Sequence, residues 1–285
     1  MKEYKCGNVV LIGEPNVGKS SIVNAIVGEQ VSIVSDIGGT TRTQIRGIKT
    51  MDGYQIIFSD VPGMVGKKRN LLDKSMSKSI SSAVADGDII LYVLDATNIS
   101  DEFIQKIENY ERLGKPLVLA VNKTDKTNFA KLYPKLEKLN KFTFVKSIIP
   151  ISCKTKQNLD VLESELVKHL PQAQARFGSD EYTDQPVKTM AEEIIRGELL
   201  KILYSEIPHG IAVSITSWKE VAKEIEIRAE IYCDKPSHKP IIIGHKGKNL
   251  LAAGVASRGQ IQELTGKHVR LYTHVLVREG WRDKV

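Results

Sequence analysis

Gly13-Glu14-Pro15-Asn16-Val17-Gly18-Lys19-Ser20 fits the phosphate-binding pattern G-x-x-x-x-G-K-[ST] without a mismatch. The apolar, β-branched run from Cys6 to Ile12 predicts a buried strand before it, and Ser21 to Val27 predicts a helix after it. In this turn, consecutive backbone N–H groups and the helix N-terminus can face phosphate oxygens. Lys19 supplies a charge for the terminal phosphates, and the Ser20 hydroxyl supplies a ligand for Mg²⁺. The strand-to-helix setting makes an accidental match, expected in roughly one chain in a hundred of this length, rarer still.

The composition is that of an ordinary globular protein with room for about two domains. The 285 residues are 41% hydrophobic and 26% charged. Three cysteines, far apart in the chain, argue against a disulfide framework and indicate a reducing cytoplasm. The N-terminus leaves no room for a secretory signal, and no apolar run approaches the roughly 20 residues of a membrane span. We therefore expect a soluble protein that is peripheral to a membrane at most.

The positive charge is concentrated near the C-terminus. The whole chain carries a net charge of +7, and residues 236–285 hold nine Lys or Arg against three acids, a surplus of 9 − 3 = +6. A basic segment of this kind fits a solvated face, a membrane-surface patch or a nucleic-acid footprint. Charge alone does not choose among them.

A second motif, Asp60-Val61-Pro62-Gly63, ends a predicted hairpin of Thr43–Thr50 and Tyr54–Asp60. A carboxylate at a strand end beside the phosphate loop can hold a metal-bound water, and Gly63 leaves a backbone N–H free to approach the terminal phosphate. The polar stretch Gln30–Arg42 between the two motifs shows no periodicity and predicts a mobile loop.

Two further motifs select a guanine base. Asn122-Lys123-Thr124-Asp125 follows the buried strand Leu117–Val121. The Asp125 carboxylate can accept hydrogen bonds from the adjacent N–H and amino group of guanine, whereas adenine would leave it unpaired. Asn122 would brace neighbouring loops, and the Lys123 stem would lie along the base. Ser152-Cys153-Lys154, after the strand Val145–Ile151, offers backbone N–H groups to the guanine carbonyl.

The remaining periodicity predicts an α/β fold. The buried strand Asp88–Asp95 indicates a parallel sheet. Residues 1–170 are expected to form one α/β domain, which on its motifs resembles a P-loop G domain with a mixed, mostly parallel sheet, and residues 171–187 an aperiodic linker. Helices are predicted at Asp73–Ala85, Ser100–Leu113, Phe129–Asn140 and Lys156–His169.

Residues 188–285 predict a smaller α+β domain of the type II KH class. A helix at Met190–Tyr204 and strands at Ile211–Ile215 and Ile225–Ile231 are followed by a G-x-x-G turn between two short helices and by the strand His268–Val277. Two glycines in the turn let the backbone pack against sugar-phosphate, and the adjacent lysines add charge. The predicted RNA contacts are Ile243, Gly244, His245, Lys246, Gly247, Lys248 and Arg258.

The motifs together resemble a known family. Gly-x-Pro-Asn-Val-Gly-Lys-Ser, Thr-Thr-Arg and Asp-x-Pro-Gly are similar to the Era, Der and tRNA-modifying GTPases, and nearly the whole chain resembles the Era family. Glu206-Ile207-Pro208-His209 and Trp281-Arg282-Asp283 extend that likeness. The resemblance implies a GTPase that cycles between GTP and GDP, binds the 3′ end of small-subunit ribosomal RNA through the KH domain and assists small-subunit maturation. It also implies peripheral contact with the inner face of the cell membrane; nothing in the sequence demands a dimer.

The resemblance also assigns roles in the nucleotide site. Thr41 matches the switch threonine that joins Ser20 and Asp60 on Mg²⁺, and Asn16 matches the asparagine that helps place K⁺ beside the phosphates. Met64 stands where Ras-like enzymes carry a glutamine, which implies slow, potassium-stimulated hydrolysis; Arg42 is a rival source of charge. The residues expected to be catalytic are Lys19, Thr41 and Gly63. The full nucleotide set is Gly13, Asn16, Val17, Gly18, Lys19, Ser20, Ser21, Thr41, Asp60, Gly63, Asn122, Lys123, Asp125, Ser152, Cys153 and Lys154.

The sequence disfavours two of three alternative functions and leaves the third open. A Der-like enzyme would need two G domains, and this chain has one phosphate loop and one Asn-Lys-x-Asp tetrad. A membrane-trafficking GTPase would need a lipidation motif, which neither end of the sequence shows. The third alternative is an RNA-binding protein whose nucleotide site is occupied but inert. Comparing the GTP turnover of the wild type with that of Lys19→Ala distinguishes it from a working GTPase.

Overall fold

A computed structural model of the chain describes residues 3–32, 45–63, 71–203, 207 and 210–281, apart from the side chains of residues 71–76, 79 and 106. The chain divides into two compact units, and the boundary between most of the first and most of the second falls between Asp184 and Gln185. Thr41, Arg42 and Met64 lie outside the described residues, as does most of the predicted mobile loop.

The first unit is built on a six-stranded sheet in the order β2-β3-β1-β4-β5-β6. Only β2 is antiparallel to its neighbour; the other four pairings are parallel, which confirms the prediction of a mixed, mostly parallel sheet. The strands are β1 (Lys5–Ile12), β2 (Ile45–Met51), β3 (Tyr54–Asp60), β4 (Ile89–Asp95), β5 (Leu117–Asn122) and β6 (Val145–Pro150).

Helices cover both faces of this sheet. Alternate residues of β1 point to opposite sides, so that Val9 and Leu11 join one core cluster and Val10 and Ile12 the other. Burial on both faces explains why the central strands are apolar throughout rather than alternating. The helices are α1 (Lys19–Val27), α2 (Leu71–Asp86), α3 (Asp101–Lys106), α4 (Phe129–Leu139) and α5 (Leu159–His169).

Two segments of the first unit differ from their predictions. The helix predicted at Ser100–Leu113 is α-helical only in α3 and continues as a 3₁₀ helix, Ile107–Leu113. The helix predicted from Lys156 begins at Leu159, after Asn158 in the left-handed conformation.

Much of the predicted linker is fixed to the first unit rather than free. The buried Gln55 Oε1 accepts from the backbone N–H of Arg176 (2.8 Å) and Phe177 (3.1 Å). Ile48 N donates to Tyr182 O at 2.9 Å, so the segment lies along the edge strand β2. The hydrogen bond from Ile48 satisfies a backbone group of the sheet edge that would otherwise be unpaired.

The second unit packs three helices against a three-stranded sheet in the order β7-β8-β9, with β8 and β9 parallel. Its core is formed by alternate residues of β8, among them Ile225, Ile227 and Ile231, and by buried residues of the first helix. The order helix, strand, strand, helix, helix, strand agrees with the prediction. The elements are α6 (Val187–Ile202), β7 (Ile211–Val221), β8 (Glu224–Cys233), α7 (His238–Ile243), α8 (Lys248–Thr265) and β9 (His268–Val277).

Candidate functional site

The phosphate loop turns sharply between β1 and α1. Gly18 has φ 98°, and a Cβ there would lie 2.2 Å from Asn122 Nδ2, so the position requires glycine. The buried Lys19 Nζ donates to the carbonyl oxygens of Gly13 (3.2 Å) and Glu14 (2.9 Å). Burial lowers the pKa of Lys19, against the opposing influence of the Asp60 carboxylate. The ammonium is thus held over the loop in which phosphates would bind.

Side-chain oxygen atoms of Ser20, Ser32 and Asp60 lie close together at the start of α1. Ser20 Oγ donates to Asp60 Oδ2 at 2.6 Å, and Ser32 Oγ donates to the same oxygen at 2.8 Å. Asp60 is fully buried at the end of β3. A Cβ on Gly63 would lie 3.0 Å from Pro15, so the Asp-x-Pro-Gly turn packs directly on the phosphate loop. Hydroxyl and carboxylate oxygens are the ligands that Mg²⁺ prefers, so this donor set fits the ion.

Asn122 ties two loops together, as predicted for a brace. Its Nδ2 donates to Val17 O at 2.9 Å, and its Oδ1 accepts from Cys153 N at 3.2 Å. The side chain is almost fully buried, and its hydrogen bond to Val17 is shielded from water. The geometry fixes the phosphate loop relative to the loop that follows β6.

The predicted base-reading carboxylate is exposed and already oriented. Asp125 Oδ1 accepts from the buried Ser152 Oγ at 2.6 Å, and this hydrogen bond is the main reason that the pKa of Asp125 is lowered. Lys154, an exposed neighbour, lowers it further. Burial raises the pKa of the Cys153 thiol to about 12, so this side chain stays neutral beside the carboxylate.

Sequence reasoning missed two partners in this site, Ser32 and Asp95. Asp95 Oδ2 lies 2.7 Å from Lys123 Nζ, while its Oδ1 accepts from Thr97 N (2.9 Å) and Thr97 Oγ1 (2.6 Å). Burial alone would raise the pKa of Asp95, but the hydrogen bonds from Lys123 and Thr97 outweigh it and lower the pKa. Asp95 ends β4 directly beside Asn122 on β5, so its place at the carboxyl edge of a parallel sheet was a usable signal.

In the second unit, α7 and α8 meet at the predicted G-x-x-G turn. Gly247 has φ 80°, and His245, Lys246 and Lys248 are exposed. Ile243, one of the predicted contacts, is half-buried and packs against the core. An open recess of about 330 Å³ lies beside the turn, lined mainly by apolar groups of α8 and β9, including Gly247, Leu250, Leu251, Val255, Arg258 and Leu271.

Family models match both units. Residues 8–123 match the family described as 50S ribosome-binding GTPase, and residues 206–282 match the KH domain. The first match covers the phosphate loop, the Asp-x-Pro-Gly turn and the start of the base-reading tetrad. The second covers the G-x-x-G turn.

Individual proteins resemble the chain over nearly its full length. GTPase Era of Caldanaerobacter subterraneus subsp. tengcongensis is 40% identical over 285 residues, which are 98% of this chain and 95% of that protein. GTPase Era of Alkaliphilus metalliredigens is 38% identical, over 99% and 96% respectively. A crystal structure of Era with MgGDPNP and nucleotides 1506–1542 of 16S ribosomal RNA has a TM-score of 0.93 at 35% identity, covering 99% of this chain and 96% of that chain. A single-substitution variant of Aquifex aeolicus Era bound to GDP·AlF4⁻ also has a TM-score of 0.93, at 34% identity, covering 98% and 96%.

Proposed function

Since the chain belongs to the Era family of GTPases, we propose that it is a GTP-driven switch that binds the 3′ end of small-subunit ribosomal RNA and assists assembly of the small ribosomal subunit. The observation that carries the proposal is the presence of two sites in one chain. The first unit holds a pre-ordered phosphate and guanine pocket, and the second holds an open G-x-x-G groove. The 16S RNA fragment bound by the Era structure with TM-score 0.93 supports the identity of the RNA.

In the proposed nucleotide complex, Lys19 contacts the terminal phosphates, and Ser20, Asp60 and Thr41 hold Mg²⁺. Support comes from the 2.6 Å hydrogen bond between Ser20 and Asp60, since both oxygens already meet at one point. Mg²⁺ neutralises charge on the β- and γ-phosphates when it is bound. We assign guanine selection to Asp125, with Asn122, Lys123 and the Ser152-Cys153-Lys154 loop around the base.

Hydrolysis is proposed to be slow and faster in K⁺ than in Na⁺. Gly63, packed on Pro15, would present its backbone N–H to the terminal phosphate. Asn16, at φ 63° in the phosphate loop, would help to place K⁺ there. A potassium ion at that point would supply positive charge where charge develops during phosphoryl transfer. Met64 offers no hydrogen-bond donor to an attacking water.

RNA is proposed to bind along the recess beside the G-x-x-G turn. Lys246, Lys248 and Arg258 are exposed and would face phosphates, while the apolar lining would accept unstacked bases. The half-buried Ile243 would contribute an apolar edge rather than a polar contact. We assign residues 1–170 to the G domain and 188–285 to the KH domain, with the linker between them docked as far as Asp184.

The working location is proposed to be the cytoplasm, as a monomer that contacts the inner face of the cell membrane reversibly. No helix among the described residues is long and apolar enough to cross a bilayer. The resemblance to the family supports a peripheral association with the membrane.

The deciding experiment compares GTP turnover of the wild type and of Lys19→Ala, each in K⁺ and in Na⁺ at matched ionic strength. We expect Lys19→Ala to lose more than ~100-fold in turnover, because the buried ammonium has no substitute. Identical rates for the two proteins would identify an RNA-binding protein with an inert nucleotide site. Equal wild-type rates in the two salts would refute the potassium proposal alone.

A further inference from the structure

We propose that the first unit carries a second RNA-binding surface, which we call the α4 face: the start of α4, the Thr124–Thr127 loop and the loop after β6. It deepens the proposed function and rests on it, since the same ribosomal RNA would supply the ligand. Two aromatic side chains mark the surface. Phe129 and Tyr133 are 62% and 54% exposed, with ring centroids 5.8 Å apart. They are not needed for the core, which α4 reaches through Leu132 and Leu139.

A recess of about 280 Å³ opens beside the aromatic pair. Phe129 and Leu132 give it an apolar side, and Thr124, Thr127, Gln157 and Asn158 give it hydroxyl and carboxamide groups. Thr124 Oγ1 donates to Ile151 O at 2.9 Å and Asn158 Nδ2 donates to Pro150 O at 2.8 Å, so these two side chains are already held in place. A ring that can stack on one side and hydrogen-bond on the other fits such a recess, and a nucleobase is that kind of group.

The segment that supplies most of the α4 face is strongly basic, which favours a polyanion. Residues 123–156 contain nine lysines against two acids, a surplus of 9 − 2 = +7. This is a larger surplus than the +6 of the last 50 residues, and it lies in a shorter segment. Lys123 and Lys138 are ion-paired and Lys135 donates to a backbone carbonyl, whereas Lys126, Lys131, Lys154 and Lys156 are exposed.

RNA fits the α4 face better than a lipid surface does. Lysines and exposed aromatic rings occur at both kinds of interface. Thr124 and Asn158 already donate to backbone carbonyls, but Thr127 and Gln157 also line the recess with groups that donate and accept hydrogen bonds, and an acyl chain offers these groups no partner. A base would pair with them, and the flanking lysines would contact the phosphates on either side.

The test measures binding of a small-subunit ribosomal RNA transcript to the full chain loaded with a non-hydrolysable GTP analogue. We expect Phe129→Ala to weaken binding ~10-fold and Phe129→Trp to restore it, because stacking needs only an aromatic ring. Lys126→Gln combined with Lys131→Gln should reduce the salt dependence, the slope of log K against log salt, by about 1.4, at roughly 0.7 per phosphate contact. Lys49→Gln combined with Lys168→Gln is the control of equal charge change, on β2 and α5.

Two readouts separate RNA binding at the α4 face from a damaged fold and from membrane binding. GDP affinity should be unchanged in every variant, which shows that the fold and the neighbouring guanine site are intact. The proposal is overturned if Phe129→Ala and the double variant Lys126→Gln, Lys131→Gln both bind RNA with the affinity and salt dependence of the wild type. Unchanged RNA binding together with lost sedimentation on phosphatidylglycerol vesicles would overturn it in favour of a membrane face. If the wild type binds no ribosomal RNA at all, the proposed function is refuted as well. If Gly247→Asp weakens RNA binding and Phe129→Ala does not, only this inference is refuted.

Discussion

The nucleotide pocket and the G-x-x-G groove use opposite strategies for recognition. In the pocket, Asp60 and Asn122 are buried, and hydrogen bonds of 2.6 to 3.2 Å join side chains and loops. The groove is open, and its charged groups, such as Lys246 and Arg258, are exposed.

This difference predicts how each site responds to change. Shielded hydrogen bonds to a fixed acceptor are strong and geometrically selective, so one substitution in the pocket should cost much. Exposed charges contribute little individually and are screened by salt, so affinity in the groove is spread over many groups.

Among the effects on binding affinity, the largest is expected from Asp125→Asn. Removing the carboxylate replaces a paired, charge-assisted acceptor with an amide, which should lower GDP affinity ~100-fold, or about 3 kcal/mol. The amide can instead donate to a carbonyl, so xanthine nucleotides should bind better than they do to the wild type. Calorimetric titration with both nucleotides checks this. Unchanged GDP affinity would mean that the exposed Asp125 is not the base reader.

Gly247→Asp tests recognition in the G-x-x-G groove. A carboxylate beside the phosphates should weaken ribosomal RNA binding by ~30-fold and leave GTP turnover within a small factor. Gly247 has φ 80° and open space around its Cβ position. Gly247→Asn is therefore the matched control, since it has the same size, tolerates this backbone conformation and lacks the charge. Equal losses in the two variants would point to backbone strain instead of charge repulsion.

Asp95→Asn tests a residue that holds another residue in place. We expect GDP affinity to fall ~10-fold, because Lys123 loses the charged partner that fixes it at 2.7 Å. Lys123→Met should weaken GDP binding as well, and the double variant should be no weaker than Lys123→Met, since both changes act on one interaction. Additive losses in this cycle of titrations would contradict the positioning role.

The smallest expected effect is on the pH dependence of folding stability, and it arises from two carboxylates of the nucleotide pocket. The folded-state pKa of Asp95 and of Asp125 is lowered from 3.8, so the stability each contributes is complete above that value and is lost as pH falls through the folded-state pKa. Between about pH 7 and 5, the unfolding midpoint of the nucleotide-free protein should therefore show no loss from these two groups. Below about pH 4, Asp95→Asn should show a smaller decline than the wild type. Chemical denaturation across this range measures both declines, and an identical decline in the two proteins would exclude Asp95 as a contributor.

Much of the pocket was predictable because parallel strands end at one edge of a sheet. Four short motifs, each after an apolar run, were enough to place Lys19, Asp60, Asn122 and Ser152 together, and their order and the G-x-x-G turn indicated the class of each domain. Helix ends were less predictable: α3 continues as a 3₁₀ helix, and α5 begins only after Asn158, whose left-handed backbone conformation periodicity does not report.

By itself, then, the sequence determined the sheet, the order of the motifs and the kind of ligand, since these follow from local patterns. Only the tertiary structure decided which polar groups meet: Asp95 with Lys123, Ser32 with Asp60, and Gln55 with the segment whose composition predicts a free linker. It also decided that Phe129 and Tyr133 face water. The physical reason is that periodicity tells which side of an element is buried, whereas a hydrogen bond between residues far apart in the chain depends on how whole elements pack.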